Sequence, residues 1–427
     1  MQPPQNTQVD GGARLRLQFA SGCPGRPGRG AAATQIPVAL PEGLSVGKRY
    51  GGGIDTMIYL DHGATSFPKP AAVGHAMQRA LYTCTNPGRG GHKAAMEAAR
   101  TVYACRESAA ALFACMPEQV AFTGSCTQGL NIAIRTLVKP GDRVVVSGFE
   151  HNAVMRPLYA LGAQITVAGR RLFDWEDTLT SFEDALKKGA DAAVFTQVSN
   201  VFGYILPVEE MAKLCKQYAV PFALDAAQGA GMLPVQMGKL GADFVAMPGH
   251  KGLLGPQGTG ILLCGRLPEP LLYGGTGSLS ASRQMPDFLP DRLEAGTLNV
   301  PGIAGLGAGI DKLLHTDREK LHQKACREAD LCSKRLEKLG CRVFDGLHRS
   351  ATLSFVAPYD CEELAQLLAQ RNVAVRAGLH CAPLAHESAG TLDTGTVRIS
   401  FGLDANPTAT IRFLKILEMT LEKVKKL

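Results

Sequence analysis

The run VPFALDAAQ, residues 220–228, decides the fold. Val220 to Leu224 are apolar without a polar gap, which fits a strand buried on both faces and not one with a wet side. The run then stops on a carboxylate, Asp225, with Gln228 three residues on. Outward from it the design recurs: QVAFTG (119–124), DRVVVSG (142–148), DAAVFTQVS (191–199) and ADFVAM (242–247) are short apolar strands, and AAMEAARTVYACRESAAALFAC (94–115) is a long helix by its Ala, Leu, Glu and Arg content. Apolar strands alternating with helices predict an α/β fold with a mostly parallel sheet covered on both sides. In such sheets ligands gather at the carboxyl ends of the strands.

The C-terminal part changes character. Amphipathic helices (EELAQLLAQRN, ATIRFLKILEMTLEKVKKL) mix with strands (ATLSFV, TVRISF), which suits a smaller α+β domain. The expected division is a large domain over residues 76–311 and a small one from residues 57–75 with 312–427. Residues 1–56 are rich in Gly, Pro and Arg, lack any sustained period, and are expected to be disordered. They are basic like a transit peptide, yet poor in Ser and without an amphipathic helix. A sharper expectation is that the native chain starts at Met57, where regular structure begins, with the purine-rich glycine codons of residues 51–53 serving as a ribosome-binding sequence.

Composition narrows the class. With 427 residues, 45% apolar and 19% charged, the chain is an ordinary globular protein. The net charge of +7 is no patch, because residues 1–56 carry six basic against three acidic residues and so about half the excess. Nucleic acid is therefore not an expected partner. The 12 cysteines include no C-x-x-C pair and no zinc spacing, and no metal is assigned. No apolar run is long enough to span a membrane, so a cytoplasmic protein with no membrane partner is expected.

Each strand of the large domain ends on a polar residue it does not need for packing. After QVAF comes TGSCTQGLN, a turn opening a helix, whose free N–H groups at Ser125, Cys126 and Thr127 suit an anion. After VVVSGFE comes His151, after TQVS comes Asn200, and after PFAL come Asp225 and Gln228. PGHKGLLGPQGTG sets Lys251 after His250 among glycines that would let the backbone approach a ligand. Taken singly these are cap or loop residues. Together, an anion turn, a carboxylate, a flat imidazole and a lysine at one sheet edge suit pyridoxal phosphate. GLGAG (305–309) lacks a preceding strand and is read as close helix packing, not as a dinucleotide loop. His92, His315, His322 and His348 are read as surface or capping residues.

These segments resemble the class V aminotransferase family of fold-type I pyridoxal-phosphate enzymes, in its cysteine desulfurase and selenocysteine lyase branch. IYLDHGATSFPKP is similar to the family's entry segment, FTGSCTQGLN to its phosphate loop, EHN and VSNVFG to its ring contacts, LDAAQ to its Asp/Gln segment, and PGHKGLLGPQGTG to its Schiff-base loop. The resemblance implies an aspartate-aminotransferase-like large domain with a seven-stranded sheet. It makes Lys251 the Schiff-base lysine, Asp225 the partner of the pyridine nitrogen and His151 the stacking ring. Asn200 and Gln228 would bond near the ring oxygen. Cys126, Thr127 and His250 would hold the phosphate, and Thr276 would reach the phosphate of the neighbouring subunit of a homodimer. RLEAGTLN (292–299) resembles the family's segment lining the site.

The cofactor alone does not name the reaction. VAVRAGLHCAPLAHESAG places Cys381 in a Gly/His/Pro loop beside Arg376 and His380, whose charges would favour a thiolate, and resembles the family's catalytic-cysteine segment. The implied reaction is L-cysteine to L-alanine, with sulfur left on Cys381 as a persulfide for an acceptor protein in iron–sulfur cluster assembly or thiolation. Arg398 of TVRISFG, assisted by Arg376, would bind the substrate carboxylate. His62 and Gly63 stand where many relatives have Asn and Ala, Gln128 replaces a common Glu, and Pro248 replaces a Ser. These departures leave the substrate open among cysteine, selenocysteine, cysteine sulfinate and cystine, and the rival reactions on the same site are selenocysteine lysis, aminotransfer and epimerisation, with Cys381 incidental in each. A non-catalytic carrier scaffold is the rival from another class, against which the joint presence of Lys251 and Asp225 argues.

Overall fold

A computed structural model of the chain describes residues 57–88 and 90–424, so the expectations for residues 1–56 fall outside the described residues. The chain enters through β1 (Ile58–Tyr59) and then builds a seven-stranded sheet. Its strands are β2 (Val120–Thr123), β3 (Arg143–Ser147), β4 (Gln164–Ala168), β5 (Ala192–Thr196), β6 (Phe222–Asp225), β7 (Phe244–Pro248) and β8 (Gly260–Cys264), in the order β2-β8-β7-β6-β5-β3-β4. β8 runs antiparallel to both its neighbours, and the other pairings are parallel. Six strand ends therefore share one edge. β5, β6 and β7 are buried along their whole length, and alternate residues supply opposite cores. Val145, Phe195, Leu224 and Val245 enter one core, while Val144, Val194, Ala223 and Phe244 enter the other. That two-sided burial is what an uninterrupted apolar run encodes.

Two strands were not expected. β4 is an edge strand whose alternate residues are exposed, too short and too polar to stand out. β8 is buried but follows a glycine-rich loop that masks its start. GLGAG lies in the helix Val300–Leu314, as its sequence context indicated. A Cβ on Gly305 would come within 2.6 Å of Met77 on the helix Ala71–Thr83, so the glycine is there for close packing.

The C-terminal part forms a four-stranded antiparallel sheet, β12 (Arg376–Gly378), β13 (Thr396–Ser400), β10 (Thr352–Val356) and β9 (Arg342–Phe344), with a separate core around Leu353, Phe355, Val397, Ile399 and Phe413. β1 pairs in parallel with β11 (Val373–Ala374), and Ile58 and Leu60 join this core. Just beyond β1, Asp61 bridges to Ser400. This return of the first described residues to β13 carries Asp61 to the site.

Candidate active site

The parallel strands end in the residues that build the crevice. β6 ends on Asp225, which is 3% exposed. Both hydrogen bonds its carboxylate accepts fall on Oδ1, from the Ala227 N–H at 2.8 Å and the Cys126 thiol at 3.5 Å, which leaves Oδ2 for another donor. Burial, then the Asp225 charge, push the Cys126 thiol well above its ordinary pKa, so it stays protonated and donates. Cys126, expected at the phosphate, thus turns its side chain to Asp225. Toward an anion it offers its backbone N–H, with Thr127, in the first turn of the helix Cys126–Leu137, which Ser125 caps by accepting from Gln128 N–H.

After β3, His151 caps the helix Asn152–Ala160, and its Nδ1 accepts from Ala153 N–H at 2.9 Å. The cap fixes the tautomer, leaving the proton on Nε2, and fixes the plane of the ring. Burial keeps this imidazole neutral by lowering its pKa, against the pull of Asp225. After β7 comes Lys251. Burial lowers its ammonium pKa, opposed by Asp225 and helped by Arg398, which yields an amine able to act as a nucleophile or base. The preceding residue, His250, is neutral, with its pKa pushed down to about 4 chiefly by burial. Its carbonyl accepts from Lys69 Nζ at 2.6 Å, Thr65 Oγ1 at 2.9 Å, Ser66 N–H at 3.1 Å and Ser66 Oγ at 3.2 Å. The segment after β1 therefore grips the lysine loop. Gly249, Gly252, Gly255 and Gly260 of that loop face the protein itself, and not a ligand as the sequence suggested, while Gly258 faces open space. A Cβ on Gly252 would lie 2.1 Å from the Ala230 carbonyl oxygen.

Arg398, 2% exposed, extends from β13 into the crevice. Its Nη1 donates to the Asn200 carbonyl and its Nη2 to Asp61 Oδ1, each at 2.8 Å. Arg376 donates to Asp61 Oδ2 from Nη2 at 2.9 Å and from Nε at 3.1 Å. Two guanidiniums meet one carboxylate, so one positive charge remains for an anionic ligand. Gly63 gives Arg398 its room, since a Cβ there would stand 3.1 Å from the guanidinium carbon. Gln228 Nε2 donates to the Gly63 carbonyl at 3.0 Å and so ties the segment after β6 to the segment after β1.

Cys381 lies in a loop where it and His380 both adopt left-handed backbone, φ +55° and +52°. For residues other than Gly this costs on the order of 1–3 kcal/mol each and needs external support. The support comes from the site: Asn152 N–H donates to the Cys381 carbonyl and Asn200 Nδ2 to the His380 carbonyl, each at 2.8 Å. Burial and then Arg398 push the His380 pKa down to about 3. His380 is therefore neutral and cannot lend Cys381 the charge the sequence suggested. Arg376, whose pKa is raised chiefly by Asp61 and in small part by Cys381, is the cation beside the thiol. Thr276 is not brought to this crevice. It bonds Ser278 and lines a separate groove of about 680 Å³ with Asn86, Arg106 and Glu294.

Three residues of this neighbourhood were not singled out from the sequence. Asp61 and Lys69 sit in the quoted entry segment LDHGATSFPKP, but their partners lie 337 and 181 residues away. Glu150, between an apolar strand and His151, is fully buried; a carboxylate in so apolar a run was the signal available.

The residues present fit pyridoxal phosphate. Asp225 Oδ2 is placed for a protonated ring nitrogen, the His151 ring for a flat face, the helix turn at Cys126 and Thr127 for a phosphate, and Lys251 for an aldehyde carbon. The buried Asn200 Oδ1 and Arg398 Nε also lack partners, as polar atoms facing a ligand site do.

Strand ends that deliver a half-buried lysine, a buried carboxylate and a fixed imidazole to one crevice define an α/β enzyme with its candidate site at the carboxyl edge of the sheet. The chain belongs to the class V aminotransferase family, whose sequence profile, "Aminotransferase class-V", matches residues 58–409. A probable cysteine desulfurase of Methanothermobacter thermautotrophicus is 31% identical over 86% of this chain and 94% of that protein. One from Pyrococcus abyssi is likewise 31% identical, over 86% of this chain and 95% of its own. Among solved structures, the apo cysteine desulfurase of Thermococcus onnurineus superposes with a TM-score of 0.80 at 29% identity, covering 86% of this chain and 96% of that one.

Proposed function

We propose that the protein is a pyridoxal-phosphate-dependent cysteine desulfurase that converts L-cysteine to L-alanine and leaves the sulfur on Cys381. The observation that carries the reading is the placement of this thiol. Among the eleven described cysteines Cys381 alone is exposed, and its loop is tied to Asn152 and Asn200 of the crevice. The relatives named above support the same activity.

The chain's own groups divide the work. Arg398, with Arg376, binds the substrate carboxylate through the uncompensated positive charge. Lys251, whose pKa burial lowers, takes the proton from the substrate Cα through Nζ and returns it to Cα as alanine forms. When bound, pyridoxal phosphate supplies an electron sink for the pair left at that carbon. His151 holds its Nε2–H beside the reacting atoms in one tautomer. The Cys381 thiolate attacks the substrate sulfur: an S–S bond forms, the Cβ–S bond breaks with its electron pair kept by carbon, and the proton from the substrate thiol ends on Cβ. Sulfur is oxidised to the sulfane level as the carbon is reduced, and a thiol reductant or an acceptor protein then removes it. Thr276, in its separate groove, is proposed to serve the partner's site in a homodimer. A reactive thiol such as Cys381 suits the reducing cytoplasm, which we propose as the compartment.

The test assays alanine and sulfide from L-cysteine with a thiol reductant, for the wild type and Cys381→Ser. Equal amounts of both products, lost in the variant while its visible absorption band persists, is the expected result. A variant that keeps its rate would remove Cys381 from the chemistry and point to lysis or aminotransfer.

A further inference from the structure

Glu150 precedes His151 and takes no part in the reaction just described. It is 0% exposed, at the carboxyl end of β3. Oε1 accepts from the Thr196 N–H at 2.9 Å and from the Ser147 hydroxyl, while Oε2 is buried and has no partner. β3 and β5 pair only over residues 144–146 and 192–194, and Glu150 replaces the missing β3 acceptor at Thr196. Thr196 is also the register partner of Asp225, and its hydroxyl points to the Val198 and Asp225 carbonyls. Glu150 thus supports from behind the strand that flanks the pyridine-nitrogen carboxylate.

Among the described residues no ion pair reaches Glu150, and the charged group acting on it from the neighbouring strands is another carboxylate, Asp225. From its own segment it is followed by His151, which is neutral. Asp225 has donors on Oδ1, the Ala227 N–H and the Cys126 thiol, and the Lys251 ammonium acts on it, whereas no cation acts on Glu150. Two carboxylates in one apolar core without a cation between them do not both ionise.

We propose that Glu150 keeps its proton in the working enzyme, acting as a neutral clamp between β3 and β5 and as a positioning residue that leaves Asp225 the single carboxylate charge beneath the ring. This rests on the cofactor reading for its meaning, though not for its test. Burial, opposed by the Ser147 and Thr196 bonds and aided by Asp225, raises the pKa of Glu150 to about 8. The native state then holds one proton more than the unfolded chain between the ordinary carboxyl pKa of 4.5 and about 8. That contribution to stability is complete below the lower value and is lost as pH rises through the upper one.

The experiment compares full-length wild type with Glu150→Gln, whose side-chain oxygen can still accept from Ser147 and Thr196 but cannot titrate. Thermal unfolding of each, without and with pyridoxal phosphate, is followed from about pH 5 to pH 9.5. The expected result is that the Tm of Glu150→Gln rises relative to wild type across this range, and that a step near pH 8 in the wild-type visible absorption is absent from the variant. A Tm difference constant with pH overturns the proposal, as does an absorption step unchanged in the variant. Isotope-edited infrared spectra of the wild type, with glutamate labelled at its side-chain carboxyl, decide independently should the variant not fold. A protonated glutamate carboxyl at pH 7 that vanishes by about pH 10 supports the assignment, and none at pH 7 refutes it. A protein that fails to bind pyridoxal phosphate would sink the cofactor reading while the cofactor-free unfolding series still decides the state of Glu150.

Discussion

Asp61 shows how one side chain can be both necessary and in the way. Its carboxylate spans Arg398 and Arg376, and Arg398 is too buried to find water in exchange. Asp61→Asn removes the only carboxylate from this trio and leaves a desolvated guanidinium, which costs about 3 kcal/mol. The expected outcome is a Tm lowered by several degrees in calorimetry, with a KM for L-cysteine that moves more than kcat, because Arg398 then loses its one carboxylate partner. The sequence made the arginines legible through TVRISFG but not Asp61. A carboxylate after a short strand looks like any cap, and only the pairing of β1 with β11 and the bridge to Ser400 bring it across 337 residues. Cys381 was legible by its loop composition, whereas the neutral state of its neighbour His380 was not, because burial is a property of the packed fold.

At the scale of elements, the Cys381 loop is held by bonds to its backbone carbonyls from just beyond the end of β5 and from the start of the helix Asn152–Ala160. Asn200 supplies the side-chain bond to the His380 carbonyl, while its own carbonyl receives Arg398. Asn200→Ala frees the strained pair at residues 380 and 381 from that hold. The expected loss is about 10²-fold in sulfide release, the scale of a misplacement near 1 Å, with the visible absorption of bound cofactor kept; stopped-flow measurement of sulfur transfer checks it. Strands such as β5, β6 and β7 were legible because burial on both faces forces unbroken apolar runs. β4 escaped notice because an edge strand has water along one side and needs few apolar residues, and β8 because its direction in the sheet is set by pairing, which no local pattern encodes.

The molecule carries six of its ten histidines in environments that disfavour charge. Burial lowers the pKa values of His62, His151, His250, His322, His380 and His386, the third and last to about 4 and His380 to about 3. The unfolded chain binds these protons near pH 6.5 and the native one resists them, so stability present above pH 6.5 falls as pH drops toward about 4. Calorimetry across that window is expected to show Tm falling with acid, whereas a flat profile would mean that the rings are solvated. The long return of the chain has a temporal counterpart. Asp61 meets Arg376 and Arg398 only after 315 and 337 residues of intervening synthesis, so during translation the lysine, the carboxylates and the phosphate turn emerge well before their anion-binding and thiol partners. A ribosome-bound chain stopped short of β12 lacks both arginines and Cys381, so under the proposed function it could neither grip an amino acid nor accept its sulfur, and the reactive sulfane would be confined to chains extended past that point.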